Sequence, residues 1–224
     1  MEIAFALFPN LTQLDLTGPL QVLSRLPGAT CRLVGADLTP LPTDTALVIT
    51  PTDVFADAPQ PDILCVPGGP GVLEALESAE LLEYLRAAAS GARYVTSVCT
   101  GALLLGAAGL LRGKRATTHW AYTELLSKFG AIYEKARVIR DGNIVTGGGV
   151  TAGVDFAFTL AAEIAGDTVA QSIQLALEYA PAPPFAGVSP EAAPDEVMGV
   201  VSGFYGDRVA RFRDAIERLS ISDN

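Results

Sequence analysis

Cys99 stands where the β-branched run Tyr94-Val95-Thr96-Ser97-Val98 gives way at once to a small-residue, helix-forming segment. A side chain on such a corner is lifted out of the sheet by a sharp turn and meets the positive end of the next helix. Both effects favour a thiolate, so the corner predicts a nucleophile. Gly101 leaves room for the close packing the turn demands, although Ser97 stands where the hydrolase elbow carries glycine. A cysteine nucleophile also needs an anion site and a proton partner. Gly68-Gly69-Pro70-Gly71 follows an apolar strand, and its amides could form a nest for developing charge or could only close a tight turn. For the proton partner two residues compete. Asp15 lies between Leu14 and Leu16, where desolvation would raise its pKa toward neutrality, or it is a helix-cap or turn acid. His119, the only histidine, follows Thr117-Thr118 and could reach the site or serve as a hydrogen-bonded structural residue. Gly147-Gly148-Gly149 is followed by Val150 and no Lys-Ser/Thr, which excludes a phosphate loop and leaves close backbone approach as its use. His119, Gly149 and Val150 are therefore candidates for a supporting ring around the reacting groups. Cys31 and Cys65 fall inside apolar strands and read as small core hydrophobes.

The elements that must position these residues can be read from periodicity. Strands are expected at Ile3 to Phe8, Cys31 to Ala36, Asp62 to Pro67, Tyr94 to Val98 and Lys114 to Thr118, with a hairpin or edge segment over Leu41 to Thr50. Val138 to Arg140 and Asn143 to Thr146 flank Asp141-Gly142, a strong hairpin signal. Helices are expected from Gly18-Pro19 to Leu26, at Val72 to Leu76, Ala79 to Ser90, Thr100 to Ala108, Ala121 to Phe129, Val154 to Ala165, Thr168 to Tyr179 and Glu196 to Leu219. A Pro-rich loop spans Ala180 to Pro194, and Asp15 falls in the first strand-to-helix connection. Strands alternating with helices imply an α/β fold, a mostly parallel central sheet with helices on both faces. Such sheets bind ligands beyond the carboxyl ends of their strands. Asp15, Gly68 to Gly71, Cys99 and Gly147 to Gly149 all lie at expected strand ends, so the topology gathers them on one edge.

The 224 residues, half of them apolar, suffice for one domain spanning 1–224 with a full core. A net charge of -10 and a pI of about 4.5 argue against nucleic acid and anionic membranes as partners. No stretch approaches the roughly 20 apolar residues of a membrane span, and the N-terminus lacks the features of a signal peptide, so a cytoplasmic protein is expected. Three widely spaced cysteines and a single histidine fit neither a disulfide framework nor a metal site.

The segments FPNLTQLDLTGPLQVL, ILCVPGGPGV, VTSVCTGALLLGAAGLLRGKRATTHW and IVTGGGVTAGVDFAFTLAAEIAG resemble the PfpI-type superfamily. That resemblance implies the class I glutamine amidotransferase-like fold, a flavodoxin-like sandwich. With Asp15, Cys99-Thr100 and the late QLALEYAPAPPF, the chain is most similar to the superfamily's isonitrile (isocyanide) hydratase branch. The likeness implies a small-molecule isonitrile substrate hydrated to an N-substituted formamide, no cofactor and a homodimer. It further implies Cys99 as nucleophile, Asp15 as the carboxyl beside the thiol and Thr100 as a further catalytic group, with Gly69, Pro70 and Gly71 next to the substrate. Protease and amidase members carry His after the nucleophile, where this chain has Thr100. Deglycase members carry Glu near the end of the first strand, where it offers Asp15. Glyoxalase or amidase activity, and a cysteine-based sensor without turnover, are the alternatives. The domain also resembles the ligand-sensing half of AraC-type regulators, but the residues after about 185 are too few and too weakly charged for a DNA-binding domain.

Overall fold

The computed structural model describes residues 1–185 and 189–222. Its first half runs β1 (Glu2–Ala6), α1 (Gln13–Leu23), β2 (Thr30–Gly35), β3 (Leu41–Pro42), β4 (Val48–Ile49), β5 (Asp53–Val54), β6 (Ile63–Val66), α2 (Val72–Ala75), α3 (Ala79–Gly91) and β7 (Tyr94–Val98). Then follow α4 (Gly101–Ala107), β8 (Arg115–Ala116), a 3₁₀ segment (Trp120–Phe129), β9 (Ile132–Tyr133), β10 (Val138–Asp141), β11 (Ile144–Gly147), α5 (Ala152–Ala165), α6 (Asp167–Ala176) and α7 (Asp195–Ser222). Seven strands form one sheet in the order β10-β11-β7-β6-β1-β2-β5. Every neighbouring pair is parallel except β10 with β11, joined by a tight turn that begins at Gly142, φ 63°.

The wholly apolar central strands are explained by their place in the sheet. β6 and β7 are buried along their whole length because helices cover both faces. The β1-to-β2 and β6-to-β7 crossovers run in opposite directions along the sheet, and right-handed connections then lie on opposite faces. α1, α5 and α6 pack together in one layer, whereas α2, α3, α4, the 3₁₀ segment and α7 form the other. Ile3, Phe5, Ile63 and Leu64 from the sheet meet Leu103, Leu104 and Phe156 from the two layers with no residual exposure. Each such side chain contributes about 1.5–3 kcal/mol of burial.

Three expectations are corrected. Asp15 is not in a connection: it lies in the first turn of α1, which begins six residues before Pro19. The expected strand at Lys114 to Thr118 shrinks to two residues that pair only with β9, outside the central sheet. The expected helix at Ala121 to Phe129 is a 3₁₀ segment. The edge strand β5 was not anticipated. The Leu41 to Thr50 hairpin is present as β3 and β4 but forms a sheet of its own. Part of the Pro-rich loop, residues 186–188, lies outside the described residues.

Candidate functional site

β1, β6, β7 and β11 are parallel neighbours, so the chain leaves all four at the same edge of the sheet. The turns there bring together Asp15, Gly68 to Gly71, Cys99 and Gly148 to Val150. Cys99 occupies the corner between β7 and α4 with φ 54°, a left-handed conformation that a non-glycine residue adopts at a cost of order 1–3 kcal/mol. The surrounding backbone holds it there. Its amide donates to the carbonyls of Gly148, at 2.9 Å, and Gly147, at 3.2 Å, and its own carbonyl accepts the Thr118 hydroxyl at 2.7 Å. The elbow is thus pinned from the β11 turn and from the segment after β8.

Asp15 is 2% exposed. Its Oδ2 accepts the Gly68 amide at 2.9 Å, while Oδ1 is buried without a hydrogen-bond partner. Burial pushes the carboxyl up to about 7; the Gly68 amide opposes this, the charge of Asp44 adds to it, and the Cys99 thiol opposes it least. The desolvation expected of an acid between two leucines is therefore present. The thiolate expected at Cys99 is not favoured by its surroundings. Burial and then the neighbouring Asp15 charge push the thiol well above its ordinary value, outweighing the Thr100 and Val150 amides that pull it down.

Of the two readings of the glycine loop, a nest or a tight turn, its hydrogen bonds fit the turn. The Gly69 amide donates to Thr100 Oγ1 at 2.9 Å, the Gly71 amide donates to the Asn10 carbonyl at 3.0 Å, and Pro70 has no N–H. Those amides are engaged, and the ones that act on the sulfur belong to Thr100 and Val150. The loop instead supplies close approach. A methyl at Gly71 would overlap the Pro9 carbonyl oxygen, and one at Gly68 would come within 2.5 Å of the Thr100 amide nitrogen. Gly71→Ala is accordingly expected to destabilise the protein by about 3 kcal/mol, because backbone faces backbone and neither side can yield. Urea unfolding measures this, and a loss below about 1 kcal/mol would contradict the packing described.

A cavity of about 60 Å³ opens above Cys99, lined by Gly69, Pro70, Thr100 and Val150 from the expected set. Asp15, Gly71 and Gly149 are not among its walls, Asp15 lying buried behind the Cys99 thiol. His119 is. Burial and then the Arg208 charge hold its pKa down at about 4, so the ring is neutral. Nδ1 accepts the Ala121 amide at 3.3 Å, leaving the Nε2 proton to donate to Tyr205 Oη at 3.4 Å. Gly149 permits the approach of this ring, since a methyl there would sit 2.9 Å from Cδ2. Trp120, Tyr122 and Phe156 are aromatics near expected strand ends or on expected helices, for which burial in the core is the default expectation; Tyr122 lines the cavity, Trp120 stacks at a tilt on His119, and Phe156 is core.

Three lining residues escaped the sequence reading: Thr12, and Tyr205 and Arg208 from α7. The signal for α7 was its apolar stripe. Tyr205, Val209, Phe212, Ile216 and Leu219 recur at helical spacing, pack on the core, and carry Arg208 to the cavity's rim.

Known proteins resemble this chain along most of its length. It is 57% identical over 198 residues to the isonitrile hydratase of Pseudomonas putida, covering 88% of this chain and 87% of that one. The crystal structure of a ThiJ/PfpI family protein from Pseudomonas syringae superposes with a TM-score of 0.93 at 40% identity, covering 96% of this chain and 90% of the other. Drosophila melanogaster DJ-1beta shares the fold, with a TM-score of 0.70 at 24% identity over 80% of this chain and 98% of that one. The DJ-1/PfpI family model matches residues 1–163. That match takes in every strand of the central sheet together with the Cys99 corner, and the chain belongs to the DJ-1/PfpI family.

Proposed function

We propose that this protein is an isonitrile hydratase that converts R–N≡C and water to the formamide R–NH–CHO. The observation that carries the reading is the buried Asp15 beside Cys99, a carboxyl that titrates at about 7 with Oδ1 unpartnered, facing a thiol that has no histidine next to it in sequence. The extensive identity to the Pseudomonas putida isonitrile hydratase supports the same reading.

The chemistry needs one proton to move several times over a short distance. With one proton shared by the pair, Asp15 takes it from the Cys99 thiol as sulfur bonds to the terminal carbon, then delivers it to that carbon. The product is a thioimidate, R–N=CH–S–Cys99. Asp15, again a carboxylate, removes a proton from water as the oxygen adds to the imidate carbon, and returns that proton to nitrogen. The tetrahedral species R–NH–CH(OH)–S–Cys99 collapses, the C–S bond breaks, and the hydroxyl proton passes through Asp15 back to sulfur. The amides of Thr100 and Val150 stabilise the sulfur when it carries charge, and Thr100 Oγ1 fixes Gly69 at the cavity wall. Neutral His119 holds Tyr205 and takes no proton at physiological pH.

The test is formation of formamide from a simple alkyl isonitrile. Turnover of methylglyoxal or amides in place of isonitriles would move the assignment within the family, and accumulation of sulfinic acid at Cys99 without any turnover would make the protein a sensor. A cytoplasmic homodimer of one domain goes with the proposal. Among the described residues no helix is long and apolar enough to cross a membrane. Sedimentation of the purified protein is expected to give twice the mass of the 23.3 kDa chain; a monomer at micromolar concentration would remove the dimer.

A further inference from the structure

We propose that Arg208 recognises a negatively charged group on the nitrogen substituent of the substrate, so that the isonitriles hydrated best carry a carboxylate one or two carbons from nitrogen. The inference rests on the hydratase reading and adds the substrate class.

The cavity at Cys99, about 60 Å³, is the smaller of two that share walls and takes the reacting N≡C group. The substituent must continue elsewhere. A second cavity of about 390 Å³ adjoins it between the β3–β4 hairpin, α2 and α7, and the two share Pro70 and Arg208 as walls. Pro70 and Arg208 thus border both the space above the reacting sulfur and the larger cavity.

This guanidinium is not neutralised by the protein. Among the described residues it forms no ion pair; it lies 6.0 Å from the centre of the Tyr205 ring, donates a hydrogen bond to the Tyr122 hydroxyl, and its charge acts on His119. Arg211, one turn away at the wall of the larger cavity, also lacks an ion pair among the described residues. In a chain of net charge -10, two cations that have no carboxylate partner among the described residues, at the wall of a buried site, run against the overall charge. Asp44 and Glu74 line the larger cavity as well. Asp44 Oδ1 already accepts the Gln13 amide at 2.9 Å, and both carboxylates would repel an anion placed deep in the cavity. The favourable position for a substrate carboxylate is thus beside Arg208, where the fork of the guanidinium can donate two parallel hydrogen bonds.

The experiment compares isocyanoacetate with ethyl isocyanide, which has a methyl in place of the carboxylate, in wild type, Arg208→Gln and Arg211→Gln. Wild type is expected to favour isocyanoacetate in kcat/KM by about tenfold or more, and Arg208→Gln to reduce that ratio by at least about tenfold. Added salt should narrow the preference. A wild-type preference for ethyl isocyanide, or a ratio unchanged in Arg208→Gln, overturns the inference while the hydratase reading stands. Calorimetric binding of isocyanoacetate to Cys99→Ala separates recognition from turnover: with Arg208→Gln added, affinity should fall about tenfold. Equal affinity in the two variants overturns the inference, and hydration of neither compound by wild type overturns the hydratase reading itself.

Discussion

Replacing Cys99 with Ala is expected to reduce formamide formation at least about 10³-fold, to the level of the uncatalysed reaction, because every later step passes through the carbon–sulfur bond. The residue is 6% exposed and its backbone is fixed by Gly147, Gly148 and Thr118, so loss of the sulfur removes a nucleophile and little else. Far-ultraviolet circular dichroism and the melting midpoint should stay near wild type. Cys99→Ser should be almost as inactive. Its hydroxyl is a far weaker acid than a thiol and gains less from the Thr100 and Val150 amides, which here offset only part of the burial cost even for sulfur. The covalent scheme adds a second readout, since rapid mixing of wild type with an isonitrile should yield a protein heavier by the mass of one substrate molecule. Turnover within tenfold of wild type in Cys99→Ala would end the covalent scheme.

Asp15→Asn should cost about 10²–10³ in kcat, the range of a positioned proton carrier, and should change the dependence on pH. Wild-type kcat/KM is expected to rise through a pH of about 7, where the pair goes from two protons to one, and then to level off. The variant should lack that limb. Stability supplies an independent measurement. The carboxyl titrates at about 7 in the native protein against an ordinary value of 3.8, so between these values the folded chain holds a proton that the unfolded chain has lost. Stability attributable to Asp15 is therefore fully present below about 4, declines as pH rises to about 7, and is level above that. Asn keeps an oxygen for the Gly68 amide and carries no charge, so the variant should melt above wild type at pH 8 by an amount that disappears near pH 4. A gap that does not grow with pH would show that Asp15 is not desolvated as described, and an unchanged rate would remove it from the mechanism.

Much of the sheet could be read from residue order because β-branched runs bounded by glycine and proline leave few alternatives, and the carboxyl-edge rule then placed Asp15, Cys99 and the Gly149 turn together. The errors share one cause. Pro19 was read as the start of a helix, whereas Asp44, 31 residues beyond Gln13, caps the N-terminus through the Gln13 amide and lets the helix begin earlier. The Gly69 and Gly71 amides looked free because their acceptors, Thr100 Oγ1 and the Asn10 carbonyl, are distant in sequence. Cys99 was expected to ionise on the strength of its corner, but burial depends on what covers the corner, and that includes α7, more than 100 residues away. Periodicity marks the buried stripe of α7 without revealing what it lies against.

The glycines around the site carry a further consequence, for how such a protein can change over evolutionary time. At Gly69, Gly71 and Gly101 the facing atoms belong to other main-chain segments, so the smallest enlargement at any of them must displace a strand end or a helix start. Few single substitutions lead gradually from this site to another of different shape. Diversification is channelled instead into the side chains that the rigid shell holds out, at 15, 99 and 100 for the reaction and at 205 and 208 for what may enter. A lineage can thus exchange its chemistry and its substrate through separate mutations, with the scaffold that aligns them left untouched.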